Sequence, residues 1–142
     1  MNAFRISAIP GLLLAVLRGQ RLGVVKITGN SMAPTFKDGG LMLYASIAKG
    51  GKKREKQLNN LYIGDVVIFV REGQTMIKRI KRMNTSKNTD QLMIWVEGDN
   101  QLESVDSRQW GPIPINMVDA KDRKSTRLNS SHTDISRMPS SA

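Results

Sequence analysis

The sequence predicts a mainly β domain of antiparallel strands, preceded by a short N-terminal apolar segment. From Leu22 onward the apolar residues come in short runs rich in Val, Ile, Leu and Met, and Gly, Asp and Asn bound each run. No internal repeat is visible. The chain's 142 residues suit one domain, which at this size can bury most of the surface its unfolded form exposes. Apolar content of 39% and charged content of 24% are ordinary for a globular protein, so wholesale disorder is not expected.

In chain order, Ile6 to Leu17 (ISAIPGLLLAVL) comes first, followed by Arg18 and Arg21. A bilayer span needs roughly 20 apolar residues, and this run is shorter and carries a Pro-Gly break. It fits the end of an anchor, an interfacial segment or a core helix, and residues 1–21 are set apart on that basis. Five strands are then expected, at Leu22–Thr28, Leu41–Ile47, Asp65–Val70, Thr75–Met83 and Leu92–Gly98. The charge run Ala48 to Gln57 reads as a solvated loop, and Asn84 to Gln91 as a polar hairpin loop. The domain is expected to span 22–120. Residues 121–142, rich in Ser and Arg without hydrophobic period, read as a disordered tail that resembles adapter or vector sequence.

Composition removes several kinds of chemistry. Cysteine is absent, which excludes disulfides, thiolate nucleophiles and cysteine metal sites. The single histidine, His132, lies in the tail, which argues against Ser-His-Asp catalysis and histidine metal clusters. The formal net charge of +10 invites a nucleic-acid or anionic-membrane partner, but much of it sits in the charge run and the tail.

What remains is a serine in GNSMAPT, Gly29 to Thr35, directly after a strand-like run. Its hydroxyl is a poor nucleophile unless a base takes the proton, and without histidine the candidates are a carboxylate or a neutral lysine. On the strand TMIKRIKRM, alternation puts Met76, Lys78 and Ile80 on one face and Ile77, Arg79 and Lys81 on the other. Burial among apolar neighbours lowers a lysine's pKa, which would leave Lys78 a general base. Alternation alone also permits an ordinary surface lysine, and it places Arg82 on the same face. The segment Val96 to Pro112 (VEGDNQLESVDSRQWGP) reads either as an exposed turn-rich loop or as one fixed by an Asp106–Arg108 pair, with a serine near enough to orient a lysine amine.

Taken in order, GNSMAPT, GDVV, IKRI and GDNQLESVDSRQWGP resemble the successive boxes of the type I signal peptidases, the Ser-Lys membrane proteases. The resemblance covers Val24 to about Val118. It implies a compact signal-peptidase-like β domain and an endopeptidase that removes N-terminal leader or targeting peptides after small residues. Ser31 matches the nucleophile, Lys78 the general base and Ser104 the serine that orients it, while Asp106 and Arg108 match a structural ion pair. Met32, Pro34 and Thr35 match the nucleophile turn; Gly64, Asp65, Gly98, Asp99 and Asn100 match supporting turns. The backbone N–H of Ser31 is implied as an oxyanion donor.

Gly29 replaces a serine that supplies a second donor in some members, and Gly39-Gly40 stands where Gly-Asp is usual. The short N-terminal run and the missing accessory insertion are similar to the mitochondrial inner-membrane protease subunits or to the nickel-type superoxide dismutase maturation proteases. Implied partners are a precursor's leader peptide, a bacterial or organellar inner-membrane surface and a second protease subunit. No cofactor, metal or nucleic acid is implied. Two other readings are a self-cleaving repressor-type Ser-Lys protease, for which only a short stretch precedes Ser31, and a basic binding module built on Lys52 to Lys56. The second leaves Ser31 and Lys78 unexplained.

Overall fold

The computed structural model describes residues 21–123. The apolar run Ile6–Leu17, and the tail beyond residue 123 with His132, lie outside them. One antiparallel sheet of seven strands, ordered β1-β2-β7-β3-β4-β5-β6, makes the frame. Its strands are β1 Leu22–Lys26, β2 Leu41–Ser46, β3 Val66–Arg71, β4 Gln74–Thr85, β5 Leu92–Glu97, β6 Ile113–Pro114 and β7 Val118–Asp122. The mainly β expectation therefore holds, and all five expected strands are present with ends shifted by one or two residues.

β3 explains the sheet's position in the molecule. Its run VVIF, Val66 to Phe69, is apolar on both faces because both are covered. Val67 and Phe69 enter one core with Ile80, Ile94, Val96 and Val118, while Val66 and Ile68 enter the other with Ile27, Met32, Met42 and Ala120. β3 and β4 are joined by Glu72 and Gly73, both at positive φ (52° and 77°), the backbone that a two-residue hairpin turn between twisted strands requires.

Three expectations need correction. The charge run is not a loop: Gly51–Asn59 forms helix α1. Few apolar residues announce it, since Leu58 is the one buried residue of the helix and the other inward contacts are polar. The Arg54 guanidinium donates to the carbonyls of Ala48, Asn116 and Val118, and Gln57 Oε1 accepts from Ala48 N at 2.7 Å.

Second, the sheet continues past residue 120 because Lys121 and Asp122 pair within β7, where Asp122 is buried. A charged pair at the end of a strand conceals the period. Third, Arg82 does not share the face of Lys78. A bulge in β4 between Ile80 and Arg82 shifts the alternation, so that Met83 packs against the core and Arg82 stacks on Trp95 at 4.2 Å.

Candidate active site

The loop that carries Ser31 is held from several sides. Met32 is 2% exposed in the second core and fixes the loop to the sheet, and Phe36 N donates to Met32 O at 2.9 Å. Asn100 N donates to Ser31 O at 2.9 Å, which joins the loop to the one after β5. Pro34 is exposed and follows a cis peptide bond. At the loop's other end, Gly39 N donates to Ile27 O at 2.8 Å with Gly39 at φ +81°, so Gly39-Gly40 closes the turn without a Gly-Asp pair.

Gly98 is the point of closest approach. A Cβ there would lie 2.2 Å from Ser104 Oγ and 2.5 Å from Ser31 O. Both atoms crowd the same space, so only glycine lets these two segments meet.

Lys78 enters from β4 on the face of Met76 and Ile80, and it is 5% exposed. Its Nζ donates to Ser104 Oγ at 3.1 Å. Ser104 in turn donates to Asp106 Oδ2 at 2.6 Å, so its oxygen is turned toward the lysine as an acceptor. Asp106 also accepts from Gly98 N at 2.8 Å, and Arg108 grips its two oxygens at 2.9 Å each. Asp106 caps the short helix α2, Ser107–Trp110, in a capping box with Gln109. One carboxylate thus fixes the helix, the serine and the glycine turn.

The electrostatics follow from this packing. Burial lowers the Lys78 pKa from its ordinary 10.5; Asp106 opposes that and Arg108 assists it. Burial by itself would raise the Asp106 carboxyl, yet hydrogen bonds from Arg108, Ser104 and the Gly98 N–H prevail and hold it well below the usual carboxylate range.

A second network joins the remaining named turns. Thr35 Oγ1 donates to Asp99 Oδ2 at 2.6 Å, and Arg79 binds both Asp99 oxygens, Nε at 2.8 Å and Nη2 at 2.7 Å. Arg79 Nη1 donates to Gly64 O at 2.7 Å. Asp65 Oδ2 accepts from Tyr62 N at 2.9 Å and lies 3.7 Å from Lys121 Nζ.

Arg79 is the residue that sequence reasoning missed as an organiser. It ties the Ser31 loop, the Gly98–Asn100 turn and the Gly64 turn to the strand that carries Lys78. Its signal was present, since a strand residue facing opposite to a buried lysine can only turn to the other side of the sheet, but its partners lie 15 and 20 residues away in sequence. Gly29 donates its N–H to Asp38 Oδ1 at 2.8 Å, so that amide is already engaged. Among the described residues, no group of three or more His, Asp or Glu side chains could hold a metal ion.

The Ser31 loop, the buried Lys78 and the Ser104–Asp106 hydrogen bond are thus gathered on one β frame. The chain belongs to the peptidase S24-like family, whose family model matches residues 7–104. It is similar to mitochondrial inner membrane protease subunit 1 of Schizosaccharomyces pombe, 31% identical with 66% of this chain and 66% of the relative covered. It is also similar to mitochondrial inner membrane protease subunit 2 of Saccharomyces cerevisiae, at 28% identity with 82% and 73% covered. The chain therefore matches slightly under two-thirds of the first relative's length. These relatives fit a protease related to the signal peptidases.

Proposed function

We propose that the chain is an endopeptidase of signal-peptidase type that removes N-terminal leader peptides after small residues, with Ser31 as nucleophile and Lys78 as general base. The observation that carries this reading is the buried Lys78 amine, its pKa lowered by burial and one of its hydrogens given to Ser104. Because Ser104 spends its own proton on Asp106, the amine acts toward it as donor and keeps its lone pair for another proton.

In the proposed reaction, the Ser31 hydroxyl attacks the scissile carbonyl while its proton passes to the Lys78 amine. The resulting ammonium returns that proton to the leaving amine as the peptide bond breaks, leaving an acyl group on Ser31. Lys78, neutral again, takes a proton from the water that attacks the ester and gives it to the departing Ser31 oxygen, which releases the acid and restores both residues. The Ser31 backbone N–H is the proposed oxyanion donor, an interaction worth about 3 to 4 kcal/mol in the transition state.

The Asp106–Arg108 pair has a clear place in this scheme. The carboxylate orients Ser104, and the guanidinium offsets the carboxylate's tendency to raise the Lys78 pKa. The peptidase unit is the span 22–122. The relatives' printed names support association with an inner membrane and work beside a second subunit, and both are part of the proposal. Among the described residues, no helix is long and apolar enough to cross a membrane.

The test is cleavage of a leader peptide carrying small residues before the scissile bond, by wild type, Ser31→Ala and Lys78→Met. Both variants should lose cleavage and keep the melting profile of a folded protein. The wild-type rate should rise with pH through an apparent pKa below that of free lysine, because the base works only when deprotonated. Cleavage retained by Lys78→Met would eliminate the dyad.

A further inference from the structure

One groove among the described residues does not touch the candidate site. With a volume of about 610 Å³, it runs beside β1, β2 and the start of α1, over a floor that includes Val24, Val25 and Val70. Arg21, Lys49 and Lys53 stand on its rim, all three exposed, with Asp119 as the carboxylate among the lining residues. Helix α1 adds to this charge. Arg54, Gln57 and Leu58 face inward, which turns Lys52 and Lys56 outward on the helix that borders the groove.

The chain's sequence says what lies near. The apolar run Ile6–Leu17 ends four residues before Arg21, a reach of at most about 14 Å. A cluster of lysines and arginines next to an apolar run is the arrangement by which a protein surface holds anionic lipid. We propose that this groove binds an anionic phospholipid, its phosphate against Arg21, Lys49 and Lys53 and its apolar part along the valine floor. The inference rests on the membrane-associated reading above and gives it a surface and a lipid charge. An acidic peptide would also find the cations attractive, but it would have no use for a site set beside an apolar run.

The experiment is sedimentation of the full chain with vesicles of phosphatidylcholine alone, and of phosphatidylcholine mixed with phosphatidylglycerol, at low and raised salt. Arg21→Gln/Lys49→Gln/Lys53→Gln should lose roughly a hundredfold in binding to the anionic vesicles, about fivefold per charge, with a weaker salt dependence. Binding to neutral vesicles should not change. The control is Lys26→Gln/Lys37→Gln/Lys87→Gln, which removes three exposed charges outside the groove; it should stay near wild type.

Equal losses in both triple variants would reduce the effect to net charge and overturn the site. Unchanged binding of the groove variant would overturn it as well. Cleavage of a soluble leader peptide is read in parallel. The groove variant should cleave like wild type, whereas a wild type that binds anionic vesicles but never cleaves would sink the protease reading and leave the lipid site standing.

Discussion

At Gly98 the lack of a side chain is a requirement of contact, since the nearest obstacle to a Cβ includes the backbone oxygen of Ser31, which cannot rotate away. Gly98→Ala should therefore push the Ser31 loop from Ser104. With Ser31 as the proposed nucleophile, a misplacement of about 1 Å should cost on the order of a hundredfold in kcat. A kinetic assay of that variant showing wild-type turnover would mean that the two segments need not meet. Arg108 allows a finer test. Its positive charge helps keep the Lys78 pKa low, so Arg108→Ala should raise that pKa and move the rising limb of the pH-rate profile to higher pH. A profile that loses height without moving would assign Arg108 to structure alone.

Asp106 belongs to the scale of elements, because one carboxylate serves a helix, a turn and a side chain. Asp106→Ala removes the N-cap of α2, worth about 1 kcal/mol, and strands the Gly98 N–H, worth about 1 to 3 kcal/mol more. Denaturant unfolding should report the sum, and a midpoint equal to wild type would refute the capping role. Arg79→Lys tests the second network. A lysine keeps the charge but cannot bind both Asp99 oxygens and reach Gly64 O together, so stability should fall by about 1 to 2 kcal/mol. Activity should fall less than in Lys78→Met, and complete loss of cleavage would give Arg79 a larger part than positioning.

For the whole molecule, the pKa directions set how stability depends on pH. Asp99 and Asp106 have folded values below the ordinary 3.8. Their contribution is present above that value and is lost as pH falls through the folded values, because the unfolded chain takes up protons first. Melting temperature should thus drop on acidification below about pH 4, and less steeply in Asp106→Asn. Lys78 acts in the opposite range. With its folded pKa below 10.5, the unfolded chain binds the extra proton between the two values, so stability rises with pH across that window. Equal acid slopes in wild type and Asp106→Asn would remove Asp106 from this account.

The sequence by itself determined five of the seven strands and pointed to most residues of the candidate site, with Arg79 as organiser the exception. Short apolar runs bounded by turn residues specify strands locally, and a serine without histidine directs attention to a lysine on an apolar face. It could not reveal α1, whose inward contacts beside Leu58 are an arginine and a glutamine, or strands β6 and β7, the last of which ends in a buried aspartate. Nor could it show the bulge that turns Arg82 away, since alternation assumes an unbroken ladder. What only the tertiary structure decided is how distant segments converge: Gly98 against Ser31, Ser104 under Lys78, Arg79 across to Asp99. Those contacts join residues far apart in the chain, and their geometry is set by burial and hydrogen bonding that no local pattern encodes.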